Sequence, residues 1–269
     1  MLSGRRSSAV LSLIVFFGLF LSCATTGPGG KKSFILISDK QEISIGNEMD
    51  RQIRETEKIL PDAGWQYYIN EIGQKIVAVS DRRGLEFHFA VVESDQINAF
   101  ATPGGYIYIY TGLLKKINRE SELVAVIAHE ISHVVGRHGV KRLQTILGAS
   151  LVLDLALGEK SETTKNIAGA ALGVVMSGYS RSQEYEADEF GLIYMNRAGW
   201  NPQGMTGMFE LLQSISGHRD AGFFEMLSSS HPQTSDRITA VNNLIPSLPR
   251  IPNQVLDSRK FQQMKNKLP

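Results

Sequence analysis

The chain of 269 residues has one cysteine, 9 prolines and almost no net charge, with 28 Lys and Arg against 27 Asp and Glu. A lone thiol excludes an internal disulfide and an all-thiolate zinc site, and leaves histidines and carboxylates as the ligands for any metal. Without a basic excess there is no electrostatic footprint for a nucleic acid, and none is expected as a partner. No internal repeat is present, which excludes a solenoid. What the chain does have is 42% apolar residues and 25 glycines. That mixture excludes a disordered chain, a collagen and a coiled coil. The length can bury the core of one large domain or two small ones.

Long apolar runs are equally scarce. The first, Ala9 to Leu21, follows Arg5 and Arg6. As a helix it would reach about 20 Å, short of the roughly 30 Å of a bilayer core. A basic start, an apolar stretch and small residues after it describe an export signal over residues 1–22. Cys23 directly follows Phe20-Leu21-Ser22, a lipobox-like setting in which the cysteine is lipidated and becomes the mature N-terminus. The plainer alternative is ordinary cleavage after Ala24. Removing residues 1–22 takes away two arginines and no acid, turning the formal charge from +1 to −1. Residues 23–37 then form a Gly/Pro-containing tether, residues 38–250 the folded domain and residues 251–269 a C-terminal tail. The protein is expected in a bacterial cell envelope, lipid-anchored to a membrane and facing the periplasm. Ala24 after the cysteine favours the outer membrane. Between Leu143 and Val175 two small-residue-rich runs are each too short to span a bilayer, and read as buried helices.

The domain should open at Ser38, whose spacing to Gln41 is that of a capping box. Ile45, Met49 and Ile53 recur with helical period, and Pro61-Asp62 restarts a second helix with Trp65, Ile69, Ile72 and Ile76 inward. Short strands are predicted at Phe87–Val92 and Asn98–Ala101, a turn at Pro103-Gly104-Gly105, and a strand at Tyr106–Tyr110, where Tyr and Ile alternate. From Arg119 onward the pattern is helical. The fold class is α+β, mostly helical with a small antiparallel sheet.

One helix carries His129-Glu130-Ile131-Ser132-His133. Histidines at i and i+4 lie one turn apart on one face, so both imidazoles can reach one ion, and Glu130 can reach a water beside it. A catalytic zinc wants a third protein ligand. His138, five residues past His133, should point elsewhere on a continuing helix. Glu184 and Asp188 share a helical face: one carboxylate could bind the metal while the other accepts the second N–H of a ligand histidine. Glu186 points roughly opposite.

Four motifs together resemble the gluzincin metallopeptidases of the HtpX and CAAX-prenyl-protease type, and more narrowly their soluble periplasmic lipoprotein branch. They are Asn98-Ala99-Phe100-Ala101 with Pro103-Gly104-Gly105, His129 to His133, Glu184 to Asp188, and His231-Pro232 with Arg237-Ile238. The resemblance spans about residues 38–245. It implies a gluzincin fold and peptide-bond hydrolysis with one Zn²⁺ held by His129, His133 and Glu184. Glu130 would be the general base and Asp188 the orienting carboxylate. His231 would either donate to the oxyanion or occupy the open metal position, and Arg237 would anchor its loop. The stretch around Asn98, Ala99, Phe100, Gly104 and Gly105 would offer a strand edge to an extended polypeptide substrate. A chaperone or adaptor lipoprotein with a structural zinc remains the rival reading. A deformylase-like hydrolase is disfavoured because its upstream cysteine ligand is absent.

Overall fold

The computed structural model describes residues 28–31, 33–157, 167–169, 171–173, 177–216, 231 and 235–269. The expected signal segment, Cys23, part of the tether and Pro232 lie outside the described residues. Helix α1 (Asp39–Thr56) begins with the expected capping box: Gln41 N–H donates to Ser38 Oγ at 3.3 Å, and Ser38 N–H to Gln41 Oε1 at 2.9 Å. These bonds satisfy N–H groups that a helix start leaves unpaired. Asp62 caps α2 (Ala63–Val77) by accepting from Gly64 and Trp65 N–H.

Strands β1 (His88–Val92), β2 (Ala99–Thr102) and β3 (Tyr106–Tyr110) follow. They form one sheet in the order β1-β3-β2. The sheet is mixed, which corrects the antiparallel expectation. β2 and β3 form the antiparallel hairpin that the Pro-Gly-Gly turn encodes, but β1 runs parallel to β3, with His88 opposite Tyr106. Residues 93–98 carry the chain past the position β3 will take, so β3 inserts between its two predecessors. Side-chain alternation reports which face a residue takes and is silent on strand order.

The sheet separates two apolar clusters. Ile107 and Ile109 pack with α2 and the helices that follow, while Tyr108, Tyr110 and Phe100 pack with Ile45, Met49 and Ile53 of α1. Ile35 and Ile37, placed in the tether by the sequence, are already buried in the second cluster. After the short α3 (Thr111–Lys116) comes α4 (Glu120–Val135), every residue of which is buried. The chain continues through α5 (His138–Leu157, kinked at Gly148), α6 (Arg181–Arg197), α7 (Gln203–Ser216), α8 (Ser235–Leu244) and α9 (Arg259–Lys265). Residues 251–269, set apart in the sequence as a tail, pack on the domain: Val255 bridges Trp200, and Phe261 is fully buried. Among the described residues of Leu143–Val175, Leu143, Ile167, Ala168 and Ala171 are buried and Ile146 is exposed. No helix among the described residues is long and apolar enough to cross a membrane.

Candidate metal centre

Helix α4 is buried all round, yet it carries His129, Glu130 and His133 in its C-terminal half. Polar groups in such a place must find partners or be costly. The partners come from α6, whose Gly191 permits a close approach: a Cβ there would stand 3.1 Å from the His129 backbone nitrogen. With the helices flush, Glu184 and Asp188, one turn apart on α6, reach the two imidazoles.

The Nε2 atoms of His129 and His133 lie 3.0 Å apart. His133 Nε2 is 3.5 Å from Glu184 Oε1, and His129 Nε2 is 3.6 Å from Glu184 Oε2. His231 joins them, its Nδ1 3.2 Å from His129 Nε2 and 3.0 Å from Glu184 Oε1. Ligand atoms of the four residues all lie within 4.8 Å of one another. Bond lengths near 2.1 Å in a tetrahedron separate ligand atoms by about 3.4 Å. The observed spacings bracket that value. Three imidazole nitrogens and a carboxylate converge on one point, and protons alone cannot satisfy every close pair at once. The donor set therefore fits a divalent cation.

The outer atoms of these groups are held as well. Asp188 Oδ1 lies 3.0 Å from His129 Nδ1. Arg237 on α8 donates to both Asp188 oxygens at 2.7 Å and pairs with Glu184 Oε2 at 2.7 Å. Burial by itself would push both carboxylic acids up. For Glu184 the charges of His231, His129 and Arg237 outweigh it, and for Asp188 the Arg237 and His129 contacts do, so both stay below the usual carboxylate range. Glu130 differs. Burial raises it, and the opposing pull of His231 and His129 is insufficient to bring it back. Burial drives His133 well below the ordinary imidazole range, reinforced by His129, His138, His231 and Arg237. Burial would lower His231 too, but Glu184 and Glu130 reverse the sign and hold it up.

The residues expected to meet substrate divide. Ala99 shares a cavity wall with Val126, Met208, Phe209 and Leu212, immediately beside Glu130 and His231. The Asn98 carbonyl accepts from Tyr110 N–H at 3.1 Å. Phe100 points away and stacks on Tyr108 at 4.9 Å between ring centres. Gly104 and Gly105 form the turn against α1 and the Glu86 carbonyl, and their backbones serve packing there. His138 does not sit on a continuing helix. α4 ends at Val135, Arg137 has φ 53, and the ring returns to 2.9 Å from His133. Glu186 lies toward His138, 3.8 Å from its Nε2. Tyr179, which no periodicity singled out, stacks on the His133 ring at 3.9 Å between centres.

Comparison with known proteins agrees with this geometry. The sequence pattern of peptidase family M48 matches residues 65–245, two thirds of the chain and all of the site. The chain belongs to peptidase family M48. It is 32% identical over 237 residues to the beta-barrel assembly-enhancing protease of Escherichia coli K12, an alignment covering 83% of this chain and 48% of that protein. Metalloprotease YcaL of the same organism is 29% identical over 168 residues, covering 61% of this chain and 64% of its own. The mitochondrial metalloendopeptidase OMA1 of Schizosaccharomyces pombe is 28% identical over 185 residues, covering 66% and 52%. The chain thus spans about half the length of the assembly-enhancing proteases it matches. Its M48 membership accords with an α+β domain whose buried helix bears the two histidines.

Proposed function

We propose that this chain is a zinc-dependent endopeptidase that hydrolyses peptide bonds of unfolded or misassembled cell-envelope proteins. The observation that carries the proposal is the convergence of His129, His133 and Glu184 on one point, with Glu130 Oε1 3.5 Å from Nε2 of the adjoining His231. These three residues would hold the ion. When bound, zinc lowers the pKa of a water to about 7 and polarises a carbonyl oxygen. Glu130, lifted above the usual carboxylate range by burial, accepts the proton of the attacking water and delivers it to the leaving amine. Asp188 accepts from His129 Nδ1–H and leaves its Nε2 lone pair free, while Arg237 fixes Asp188 and Glu184 together. β2 pairs with β3 alone among the described strands, and its free edge is the place for an extended peptide to add by main-chain hydrogen bonds. The apolar wall of Val126, Met208, Phe209 and Leu212 suits an apolar side chain of that peptide. Cys23 as a lipid anchor would keep the domain at the periplasmic face of the outer membrane, in reach of such substrates.

The rival, an envelope chaperone or adaptor with a structural ion, is favoured by one observation: His231 completes four donors, and closed four-ligand sites are structural. In the proposed cycle His231 instead leaves that corner for substrate and donates to the oxyanion. Glu130 separates the two readings, because a structural site has no use for it. Purified Glu130→Gln should retain zinc and fail to cut casein, while wild type cuts it and loses the activity to a chelator. A Glu130→Gln protein cutting at the normal rate would refute the endopeptidase assignment.

A further inference from the structure

His138 is fully buried, and the proposed reaction leaves it unused. His133 turns Nε2 to the donor cluster. Its other nitrogen, Nδ1, lies 2.9 Å from His138 Nδ1. Two imidazole nitrogens at that distance share one proton, one N–H donating and the other nitrogen accepting. An ion held through the Nε2 lone pair obliges His133 to carry its proton on Nδ1. His138 must then accept at Nδ1 and carry its own proton on Nε2, the atom that faces Glu186 Oε1 at 3.8 Å. Glu186 is itself held by Lys31 Nζ at 3.2 Å.

The backbone between the histidines is arranged for this contact. On an unbroken helix, residues five apart point about 140° away from each other. Here the positive φ of Arg137 breaks the helix, and its guanidinium is tied to the Ile37 carbonyl at 2.7 Å and to Glu42 Oε2 at 2.8 Å. The returning ring lies directly over Gly136, where a Cβ would stand 2.4 Å from His138 Nε2. Any larger residue there would displace the imidazole.

We propose that His138 is a positioning residue of the metal centre, accepting the Nδ1–H of His133 and so holding that ligand in its metal-binding tautomer, with Glu186 setting the tautomer of His138 in turn. The proposal rests on the metallopeptidase reading. It gives the two ligand histidines unlike supports, a carboxylate behind His129 and a neutral imidazole behind His133.

The test is zinc affinity of the purified full chain by chelator competition, with circular dichroism as the folding control. Outer-sphere partners of ligand histidines are worth about 10–100-fold in metal affinity. His138→Ala and Gly136→Ala should each lose that much with the helical signal intact. His138→Asn, whose amide oxygen accepts near the position of Nδ1, should recover most of it. A His138→Ala protein that binds as tightly as wild type overturns the proposal, and so does a His138→Asn protein as weak as His138→Ala. Nitrogen NMR of wild-type holoprotein gives a reading that needs no variant: protons on Nδ1 of His133 and Nε2 of His138 are expected, and a proton on Nδ1 of His138 overturns the assignment. Wild type that binds no zinc would refute the metallopeptidase reading instead.

Discussion

Replacing Arg237 with alanine should destabilise the metal-free protein far more than the metal-loaded one. Arg237 is 3% exposed and holds two buried carboxylates, Asp188 through both oxygens and Glu184 through Oε2, each contact at 2.7 Å. Removing one member of a buried ion network leaves uncompensated charge and costs about 3–5 kcal/mol. For a domain of this size that corresponds to a fall of about 6–20 °C in melting temperature. The sign of the pH dependence follows from the two carboxylates. Both titrate below their ordinary range in the folded chain. Their contribution is therefore complete above the ordinary carboxylate values near 4 and is lost as acid protonates them through the lowered ones. In Arg237→Ala both should move upward, so acid unfolding begins at higher pH. A divalent ion beside Glu184 supplies part of the missing positive charge, and zinc should restore more stability to the variant than it gives wild type. Denaturation followed by circular dichroism, with and without zinc and from neutral pH to pH 3, measures all three effects. An apo variant as stable as apo wild type would show that the three-residue network contributes little.

Glu184→Ala should lower the zinc content of purified protein along with peptidase activity, read by metal analysis; unchanged stoichiometry would remove Glu184 from the ligand set. Acid should release zinc, since only neutral imidazoles ligate. His133, kept far below its unfolded value of about 6.5 by burial, also stabilises the fold above that value and ceases to do so as pH falls beneath it. Between pH 7 and pH 5 this loss is opposed by His231, whose value is raised in the folded chain, so apo stability should fall more steeply with acid in His231→Ala than in wild type, and equal slopes would contradict the opposed environments of the two rings. Phe261→Ala should cost about 3–5 kcal/mol, the usual loss for a buried phenylalanine, because α9 is part of the main cluster; a shift under 1 kcal/mol in urea unfolding would mean that α9 is dispensable.

Much of the fold was legible because it rests on local rules. The Ser38 capping box, the helical stripe of Ile45, Met49 and Ile53, and the alternation of Tyr106 to Tyr110 each depend on residues only a few positions apart. The parallel pairing of β1 with β3 depends on where residues 93–98 route the chain, and no periodicity records that. The same division runs through the site. Two histidines one turn apart announced a metal, and Glu184 with Asp188 announced a shared face. His138 was misplaced because counting along an ideal helix assumes that the helix continues. Gly136 was a C-terminal signal in plain view, but the turn that follows depends on Arg137 meeting Ile37 and Glu42, contacts about 100 residues away in the chain.

These long-range contacts explain how a helix buried on every side can carry His129, Glu130 and His133. Contacts within their own helix are not enough to compensate the three. Asp188 and Glu184 on α6 face the imidazoles, Arg237 on α8 faces those carboxylates, and His138 faces His133 across a break in the backbone. A buried polar network is favourable only when every member is satisfied, and a half-satisfied one is worse than an apolar core. Folding of the surrounding core and assembly of the site are consequently one event: Glu184 and Asp188 stand one turn apart on the face of α6 that Gly191 lets lie flush on α4, so settling that face delivers both carboxylates. The coupling predicts that substitutions lining the donor cluster and substitutions at the α4–α6 contact should share a phenotype, losing zinc and stability together. Substitutions on β2 should impair peptide cleavage with zinc retained.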